Sequence, residues 1–270
     1  MKDLFITFKP QAPLIAQYVD YYYLDVKPAN NYLEYQCFPH FNSTISIYKS
    51  HLPKNNNVMT YDEAASPYQI YSPIRTKVLQ VKQSGPLNRI VIVFHPFGVQ
   101  QFFQNICYSA YLYDQSFFQL EEVNALFATT NKEVLVGLLD NYLLKRYQRV
   151  QQPIITAALA YIFDHYETFT VEGLAKHLSI SRQHLNRLFQ SHMGIAVKKL
   201  HEIVVFRKTI NNKLFDNPGA SFTSLAHAFN YNDQSHFNKT YKNLAANTPS
   251  SFFTKGTLLG EEDTFWHIKR

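Results

Sequence analysis

The sequence has few of the residues that mark a disulfide scaffold, a zinc site or a membrane protein. Its only two cysteines, Cys37 and Cys107, form no CxxC pair, which argues against a disulfide framework and against a zinc site of the usual spacing. No apolar run approaches the roughly 18 residues that a membrane span needs, and the first ten residues lack the apolar core of a signal peptide. We therefore expect a protein of the reducing cytoplasm with no membrane partner.

The sequence also lacks the motifs that carry catalysis. It contains no Gly-rich phosphate loop, no nucleophile elbow and no carboxylate pair in a recognisable setting. His40, His51 and His95 have no local ligand spacing, so we interpret them as surface or hydrogen-bonded residues instead of metal ligands. The pair His201-Glu202 is not followed by the second His of a zincin motif. We predict no catalytic residue, no metal ligand and no cofactor, and hence no enzyme.

Charge is scarce and unevenly distributed. Charged residues make up 17% of the chain, and the net charge is +6. Residues 153–255 carry net +5, whereas residues 1–152 carry +2 and residues 256–270 carry −1. An excess of positive charge in one segment suits the phosphates of a nucleic acid, although domains that bind nothing charged often show a similar excess.

A short pattern occurs twice in the last hundred residues. The chain reads LAKHLSISRQHLNRLF from Leu174 and LAHAFNYNDQSHFNKTY from Leu225. Both copies run Leu-Ala, a tight turn, a Ser or Asp, and then an apolar residue, Asn, a basic residue and an aromatic at fixed steps. A repeat with fixed offsets indicates two copies of one supersecondary unit. The layout is typical of a helix-turn-helix, which favours the major groove of DNA as the partner.

Local signals place the helices of each copy. Thr170 is expected to cap the first helix of the first copy, and Ser181 and Asp233 are expected to cap the second helix of each copy. The turns fall at Ser179 and Asn230, where one residue usually needs a positive φ. Between the copies, residues 197–214 are expected to form one helix of eighteen residues and roughly 27 Å.

The outer faces of the two second helices carry residue types that suit bases and phosphates. Arg pairs with guanine, Asn and Gln pair with adenine, and Lys binds phosphates. An ordinary polar helix face is the alternative, but two matching copies favour DNA. The candidate contacts are Arg182, Gln183, Asn186, Arg187 and Gln190 in the first copy, and Gln234, Ser235, Asn238, Lys239 and Lys242 in the second.

The first 125 residues are predicted to be mostly strand, in a small antiparallel sandwich or barrel. They hold more than half of the chain's 19 Tyr and 22 Phe residues, which either line a ligand pocket or fill a core and a dimer face. A helix is expected over 14–23, and residues 98–106 form a helix or a loop. The predicted strands are Leu4–Phe8, Ser43–Tyr48, Lys77–Val81 and Arg89–His95, with turn clusters at Lys54–Asn57 and Ser84–Asn88.

An apolar stripe at helical spacing predicts a helix over residues 133–147. This helix either dimerises or packs on its own sheet, and residues 148–152 form a linker. The chain is thus divided into a β-rich sensing or dimerisation domain (1–125), a helical linker (126–152), a DNA-binding domain (153–255) and a tail (256–270).

Four stretches within about residues 154–253 resemble the AraC/XylS family of transcription regulators: SRQHLNRLFQSHMG, FRKTINNKL with Arg207, NYNDQSHFNKTYK and NTPSSF. The resemblance implies an all-α domain in which a long helix joins two helix-turn-helix motifs. This sequence departs from the family pattern at three positions, where Asn230 and Ala246 replace Gly and Val197 replaces Pro. The base-reading positions that the resemblance implies are Gln183, Asn186 and Arg187 in the first motif and Gln234, Ser235 and Lys239 in the second, the last on phosphate.

The N-terminal half more weakly resembles the sensing domain of some AraC-like regulators, through PLIAQYVDYYY and FHPFGVQQFF. This resemblance implies a β-rich, cupin-like domain. The predicted fold is therefore α+β with two domains. The predicted function is a transcription regulator, of the activator type, that binds double-stranded promoter DNA as a homodimer. A small-molecule effector and RNA polymerase are further candidate partners.

Three alternatives to this function have features that the sequence can test. In a constitutive regulator, the N-terminal domain would only dimerise. A cupin-type metalloenzyme fused to a DNA-binding domain lacks the clustered histidines that it needs. A repair methyltransferase of similar architecture needs more cysteines than Cys37 and Cys107 provide.

Overall fold

A computed structural model describes residues 2–54 and 58–269. The fold is α+β, with two six-stranded sheets built mainly from the N-terminal half and a helical C-terminal part. The predicted turn residues 55–57 lie outside the described part. None of the helices in the described ranges has the length and apolarity to cross a membrane.

The first sheet is antiparallel throughout and has the order β1-β2-β9-β4-β7-β10. Two of its strands lie where the sequence predicts them, and the central strand β9 is shifted by about two residues toward the N-terminus. The strands are β1 (Leu4–Phe8), β2 (Val19–Lys27), β4 (Ser43–Tyr48), β7 (Tyr68–Ser72), β9 (Leu87–Phe94) and β10 (Leu112–Tyr113).

The second sheet combines strands from both ends of the chain, in the order β11-β12-β3-β8-β6-β5. Its pairs are antiparallel except β6 and β8, which run parallel. Residues 256–270, interpreted from the sequence as a tail, contain two of the strands. The strands are β3 (Tyr32–Cys37), β5 (His51–Lys54), β6 (Val58–Tyr61), β8 (Leu79–Ser84), β11 (Thr257–Leu258) and β12 (Phe265–Lys269).

Alternate residues of the first sheet face different surroundings. Ile45 and Ile47 of β4 belong to the core under the helices that follow the sheet. Thr44, Ser46 and Tyr48 of the same strand point to the opposite face, because successive side chains of a strand alternate. Small hydroxyl residues on this inner face leave unfilled space between the two sheets.

Three helices cover the outer face of the first sheet: α1 (Pro13–Ala16), α2 (Leu120–Phe127) and α3 (Lys132–Arg146). Leu135, Leu139 and Leu143 of α3 are fully buried in the core that includes this sheet. The apolar stripe of α3 therefore packs mainly on its own sheet, and this contact accounts for it without a second subunit. Asp140 also ties α3 to the N-terminus, since its carboxylate accepts the Tyr22 hydroxyl at 2.7 Å.

The helical part contains seven helices. The predicted long helix ends its regular α turns at Asn211 and continues as one π turn to Asp216, because the Asn217 amide donates to the Asn212 carbonyl. The regular part spans about 22 Å. The helices are α4 (Pro153–Asp164), α5 (Val171–His177), α6 (Arg182–Met193), α7 (Val197–Asn211), α8 (Phe222–Ala228), α9 (Gln234–Ala245) and α10 (Pro249–Lys255).

Two expectations for the N-terminal half need correction. The helix expected over 14–23 is only the four-residue α1, and from Val19 onward the chain is strand β2. Seven of the nine β2 residues are buried, so this strand presents an apolar run instead of an alternating one, and such a run does not distinguish strand from helix. The strand expected over 77–81 lies at β8, two residues later. Residues 98–106 form a single 3-10 turn, Val99–Gln101, followed by loop.

The two halves share apolar cores. Phe97 of the β-rich half packs with α4, α5, α6 and α7 in one cluster. Phe38 packs with α9 and α10 in another, and its ring lies 4.6 Å from that of Phe252. Both helix pairs of the C-terminal part are therefore in contact with the β-rich half.

Candidate nucleic-acid interface and its connection to the β-rich half

Helices α5 and α6 form a short helix, a tight turn and a longer helix. Thr170 caps α5 by accepting the Gly173 amide at 2.9 Å, and Ser181 caps α6 by accepting the His184 amide at 3.1 Å. Ser179 in the turn has φ +54°, a strained value for a residue with a side chain. The caps and the positive φ occur at the positions that the sequence predicts.

Helices α8 and α9 repeat this geometry. Ser221 caps α8, Asp233 caps α9 by accepting the His236 amide at 2.6 Å, and Asn230 has φ +54°. The residue after each positive-φ position donates to an alanine carbonyl: Ile180 to Ala175 and Tyr231 to Ala226. The two turns are therefore equivalent in backbone conformation as well as in sequence.

The candidate contact residues form an outer face on each long helix. The inner faces carry pairs of fully buried residues four positions apart, Leu185 with Phe189 and Phe237 with Tyr241. Of the ten candidate residues, only the two asparagines are half-buried. The exposed ones are Arg182, Gln183, Arg187, Gln190, Gln234, Ser235, Lys239 and Lys242.

Asn186 is already engaged inside the protein. Its Oδ1 accepts the Val197 amide at 3.3 Å, and its Nδ2 donates to the Arg182 carbonyl at 3.2 Å. In the second copy the position of Val197 is taken by Pro249, which has no amide hydrogen to donate. Asn238 consequently cannot make the matching bond, and its amide forms no side-chain hydrogen bond to any described residue.

Arg187 is exposed and lies beside a histidine of its own helix. One guanidinium nitrogen lies 2.9 Å from Nδ1 of His184. Because the guanidinium only donates, Nδ1 accepts, and the imidazole proton sits on Nε2. This contact orients Arg187 along the outer face of α6 and leaves its other donors available.

A charged cluster connects α7 to the β-rich half. Nε of Arg207 donates to Oδ2 of Asp263 at 2.9 Å, and the same guanidinium donates to the Asp263 carbonyl at 3.0 Å. Asp263 lies just before β12, and its Oδ2 also accepts Nε2 of His40 at 3.2 Å. Nε2 is the protonated nitrogen of His40, because Nδ1 of the same ring accepts the Asn42 amide. The sequence singled out Arg207 only as part of a motif and gave no partner for it.

The ionisation of this cluster follows from its partners. Burial alone would raise the pKa of Asp263, but the Arg207 guanidinium and the hydrogen bond from His40 hold that pKa below its usual value. Burial, with the nearby Arg207 charge, lowers the pKa of His40 to about 4. At neutral pH the cluster therefore contains one cation, one anion and a neutral imidazole.

A cavity of about 480 Å³ lies between the two sheets. One wall is the stacked pair Tyr35 and Trp266, whose ring centroids are 4.5 Å apart. Another wall carries the hydroxyls of the inner face of the first sheet. Arg207 and Asp263 line the end that faces the helical part. The sequence offered an aromatic-lined pocket as one of two interpretations, but the contribution of Trp266 from the end of the chain was missed.

The structure places the three histidines weighed as metal ligands in separate settings. His40 belongs to the charged cluster, and His51 packs against the rings of Tyr48 and Tyr61. His95 follows β9, and its backbone amide donates to the Tyr18 carbonyl. Within residues 2–54 and 58–269, no group of three or more His, Cys, Asp or Glu side chains could hold a metal ion.

Capped helix pairs with a positive-φ turn and a polar outer face define a helix-turn-helix protein. Residues 174–255 match the family model described as a helix-turn-helix domain. This match identifies a helix-turn-helix domain of the AraC type in the C-terminal part of the chain.

One curated relative supports this assignment. The Msm operon regulatory protein of Streptococcus mutans is 28% identical over 82 residues, which is 30% of this chain and 29% of that protein. The match thus spans less than a third of either protein.

Solved structures show a more distant likeness. The C-terminal domain of AraT, a response regulator from Geobacillus stearothermophilus, is 23% identical with a TM-score of 0.37, and the match covers 42% of this chain and 92% of that domain. ToxT from Vibrio cholerae, solved with bound unsaturated fatty acid, is 12% identical with a TM-score of 0.49 over 89% of this chain and 98% of that one. Likeness of this degree carries no information about the ligand or partner of this chain.

Proposed function

We propose that this chain is a sequence-specific regulator of transcription that inserts α6 and α9 into successive major grooves of promoter DNA. The observation that carries the proposal is the repeated geometry: two capped helices, each after the same positive-φ turn, each with an exposed polar face. The net charge of +5 over residues 153–255 attracts the phosphates.

The two reading helices are proposed to have unequal roles. The outer face of α6 carries two arginines, which can form bidentate bonds with guanine. The outer face of α9 carries Lys239 and Lys242, which are better suited to phosphates. The first helix would then supply most of the base preference, and the second would mainly fix the register on the duplex.

The β-rich, cupin-like half is proposed to sense an effector or to dimerise. Sensing is supported by the cavity, because its wall includes Phe38 and Phe265, which also pack in the core of the second helix pair. An effector in the cavity would act on the position of α9 and α10 through these two rings and through Arg207. A new position of α9 and α10 alters which DNA sites the two reading helices can occupy together. The effector would thereby shift the population between two arrangements of the chain.

Selection of binding sites from random duplexes by the full chain tests the proposal. We expect an enriched motif with two elements about one helical turn, roughly 10 base pairs, apart. Lys132→Ala, an exposed change on α3, is the control and should leave the motif unchanged. Equal affinity for selected and random DNA at every salt concentration would show that the chain does not read sequence.

The constitutive regulator remains the second candidate. It is favoured by the exposed apolar side chains of Leu120, Val134 and Leu144, on α2 and α3, which could lie in a dimer interface. In that case the chain binds its sites as a dimer, and no small molecule changes the affinity.

A further inference from the structure

We propose that the cavity between the two sheets binds a small aromatic acid, whose anionic group pairs with Arg75. The inference rests on the proposed sensing role of the β-rich half and names the chemical class of its ligand. It depends on three features of the cavity, namely its charge, its hydroxyl groups and its ring-lined wall.

The charges that line the cavity are unbalanced. Among the described residues that form its wall are four cations, Arg75, Lys82, Arg89 and Arg207, and one carboxylate, Asp263. Two of the cations are neutralised within the protein. Arg89 binds Asp25, which lies outside the cavity wall, at 2.8 Å, and Arg207 binds Asp263.

The other two cations have no carboxylate within 4.0 Å among the described residues. Arg75 is half-buried, and its Nε makes only a long bond of 3.4 Å to the Phe38 carbonyl. Its two terminal nitrogens form no hydrogen bond to a described residue. A half-buried guanidinium of this kind gains most from a ligand carboxylate or sulfonate, because it can donate two parallel bonds to the same anionic group.

The inner face of the first sheet supplies hydrogen-bonding groups. The side-chain hydroxyls of Thr44, Ser46 and Ser72 line the cavity, and none of them bonds another side chain or carbonyl in the described part of the chain. A ligand with ring hydroxyl, carbonyl or amine substituents could bond to them. An unsubstituted fatty chain could not.

The opposite wall favours a flat ring. Tyr35 and Trp266 stack with an interplanar angle of 13°, and Met59 of β6 contributes apolar surface to the same wall. A volume of about 480 Å³ is within the usual range for a small-molecule site. Charge, hydroxyls and ring wall together match a compact ring compound with one negative charge.

A pair of fluorescent probes with the same ring system tests this inference. The anion 8-anilinonaphthalene-1-sulfonate and the neutral N-phenyl-1-naphthylamine differ only in the sulfonate. With the full chain, we expect saturable binding of one anionic probe per chain, about tenfold tighter than the neutral probe. Equal affinities, or no saturable binding of the anion, would overturn the inference.

Three variants locate the bound probe. Arg75→Gln should weaken the anion about tenfold and leave the neutral probe unchanged, whereas Arg75→Lys should retain part of the preference. Ser46→Leu should weaken both probes, because the larger side chain fills the cavity. Unchanged binding of the anion to Ser46→Leu would mean that the probe binds elsewhere and would contradict the proposal.

DNA affinity of the same proteins separates the two proposals. If DNA is bound specifically but the anionic probe is not, the ligand inference fails and the regulator stands. If the probe binds as expected but no DNA sequence is preferred, the cavity site stands and the proposed function fails.

Discussion

Arg207 and Asp263 join α7, the helix between the two capped helix pairs, to β12, the last strand in the described part of the chain. The pair combines a bond to the carboxylate at 2.9 Å with a bond to the backbone carbonyl of the same residue at 3.0 Å. The Arg207 side chain is 4% exposed and that of Asp263 is 24% exposed. Because β12 pairs with β3, this contact fixes α7 to the second sheet.

Asp263→Asn is expected to destabilise the chain and loosen β12. The substitution leaves the buried guanidinium without its counter-charge, which costs about 3–5 kcal/mol at a fully buried pair and about 2 kcal/mol at this partly exposed one. Denaturant unfolding measures the loss, and faster hydrogen exchange of the amides of Phe265–Lys269 locates it.

The neighbouring acid gives a matched control. Glu262 is about as exposed as Asp263, but its partner Lys9, at 2.8 Å, is largely exposed and is not left as a buried charge, so Glu262→Gln should cost under about 1 kcal/mol and leave β12 protected. If Asp263→Asn and Glu262→Gln lose similar amounts of unfolding free energy, the contact between Arg207 and Asp263 is no more stabilising than a surface ion pair.

The caps and turns of the two helix pairs could be predicted from the sequence because their signals are local. Ser181 and Asp233 are favourable caps, and each turn requires one positive φ within a few residues of its cap. Two strands, Leu4–Phe8 and Ser43–Tyr48, were predicted with correct ends, whereas the ends of β8 and β9 were displaced by about two residues.

The contacts between the halves could not be predicted, because they join residues far apart in sequence. Asp263 pairs with Arg207 across 56 positions and with His40 across 223. The sequence predicts only a tail over 256–270, and no local signal indicates that Phe265–Lys269 pairs with a strand from the other end of the chain. The role of Asn186 also depends on a distant feature, the Val197 amide at the start of the next helix.

Arg187→Ala is expected to weaken binding to the selected site by about 1–3 kcal/mol and to relax the base preference at one position. Arg187 is exposed on the outer face of α6, and loss of its guanidinium removes a candidate bidentate bond to guanine. Competition binding with single-base variants of the site measures the change. An equal loss on random DNA would mean that Arg187 contacts phosphate.

Lys242→Ala is the contrasting variant for that experiment. A phosphate contact affects all sequences alike, so this change should weaken every duplex uniformly and reduce the salt slope by about one. An unchanged salt slope would exclude Lys242 from the phosphate contacts.

Asn186→Ala is expected to affect stability more than base preference. Its amide joins α6 to the Val197 amide at the start of α7, and loss of one such bond costs about 0.5–1.5 kcal/mol. Asn238→Ala, the matching change in the second copy, should weaken DNA binding and leave the unfolding free energy nearly unchanged. Denaturant unfolding and site competition on both variants distinguish the two roles.

Val197→Pro extends this test. Proline is tolerated in the first turn of a helix and removes the amide hydrogen, as Pro249 does in the second copy. The variant should release Asn186 and create a new base preference at one position. Val197→Ala is the control, because it also removes the valine side chain but keeps the backbone amide hydrogen. It should leave the base preference unchanged, and an altered base preference in this variant would contradict the proposed role of the hydrogen bond.

Acid is expected to destabilise the chain between about pH 6.5 and pH 4. Burial lowers the pKa of both His40 and His51 to about 4, below the unfolded value near 6.5. The unfolded chain therefore takes up protons first, and stability is complete above pH 6.5 and falls as pH drops through this window. The loss is on the order of 2–3 kcal/mol per histidine. His51→Phe should reduce the dependence of the unfolding free energy on pH in this window. An unchanged dependence would mean that other groups titrate there.

Ala246→Gly is expected to stabilise the chain by about 0.5–1 kcal/mol. Ala246 ends α9 with φ +54°, a left-handed conformation that costs a residue with a Cβ roughly 1–2 kcal/mol, and part of the gain is offset by the greater freedom of glycine in the unfolded chain. The equivalent position at the end of α6 is Gly194, with φ +68°. Gly194→Ala is the reverse change. It should lower the unfolding free energy by more than Ala246→Gly raises it, because the backbone strain is joined by a clash: the added Cβ would lie 2.5 Å from the Cα of Ser109. Thermal and denaturant unfolding of the two variants measure both changes, and a loss of stability in Ala246→Gly would show that the left-handed alanine is not strained.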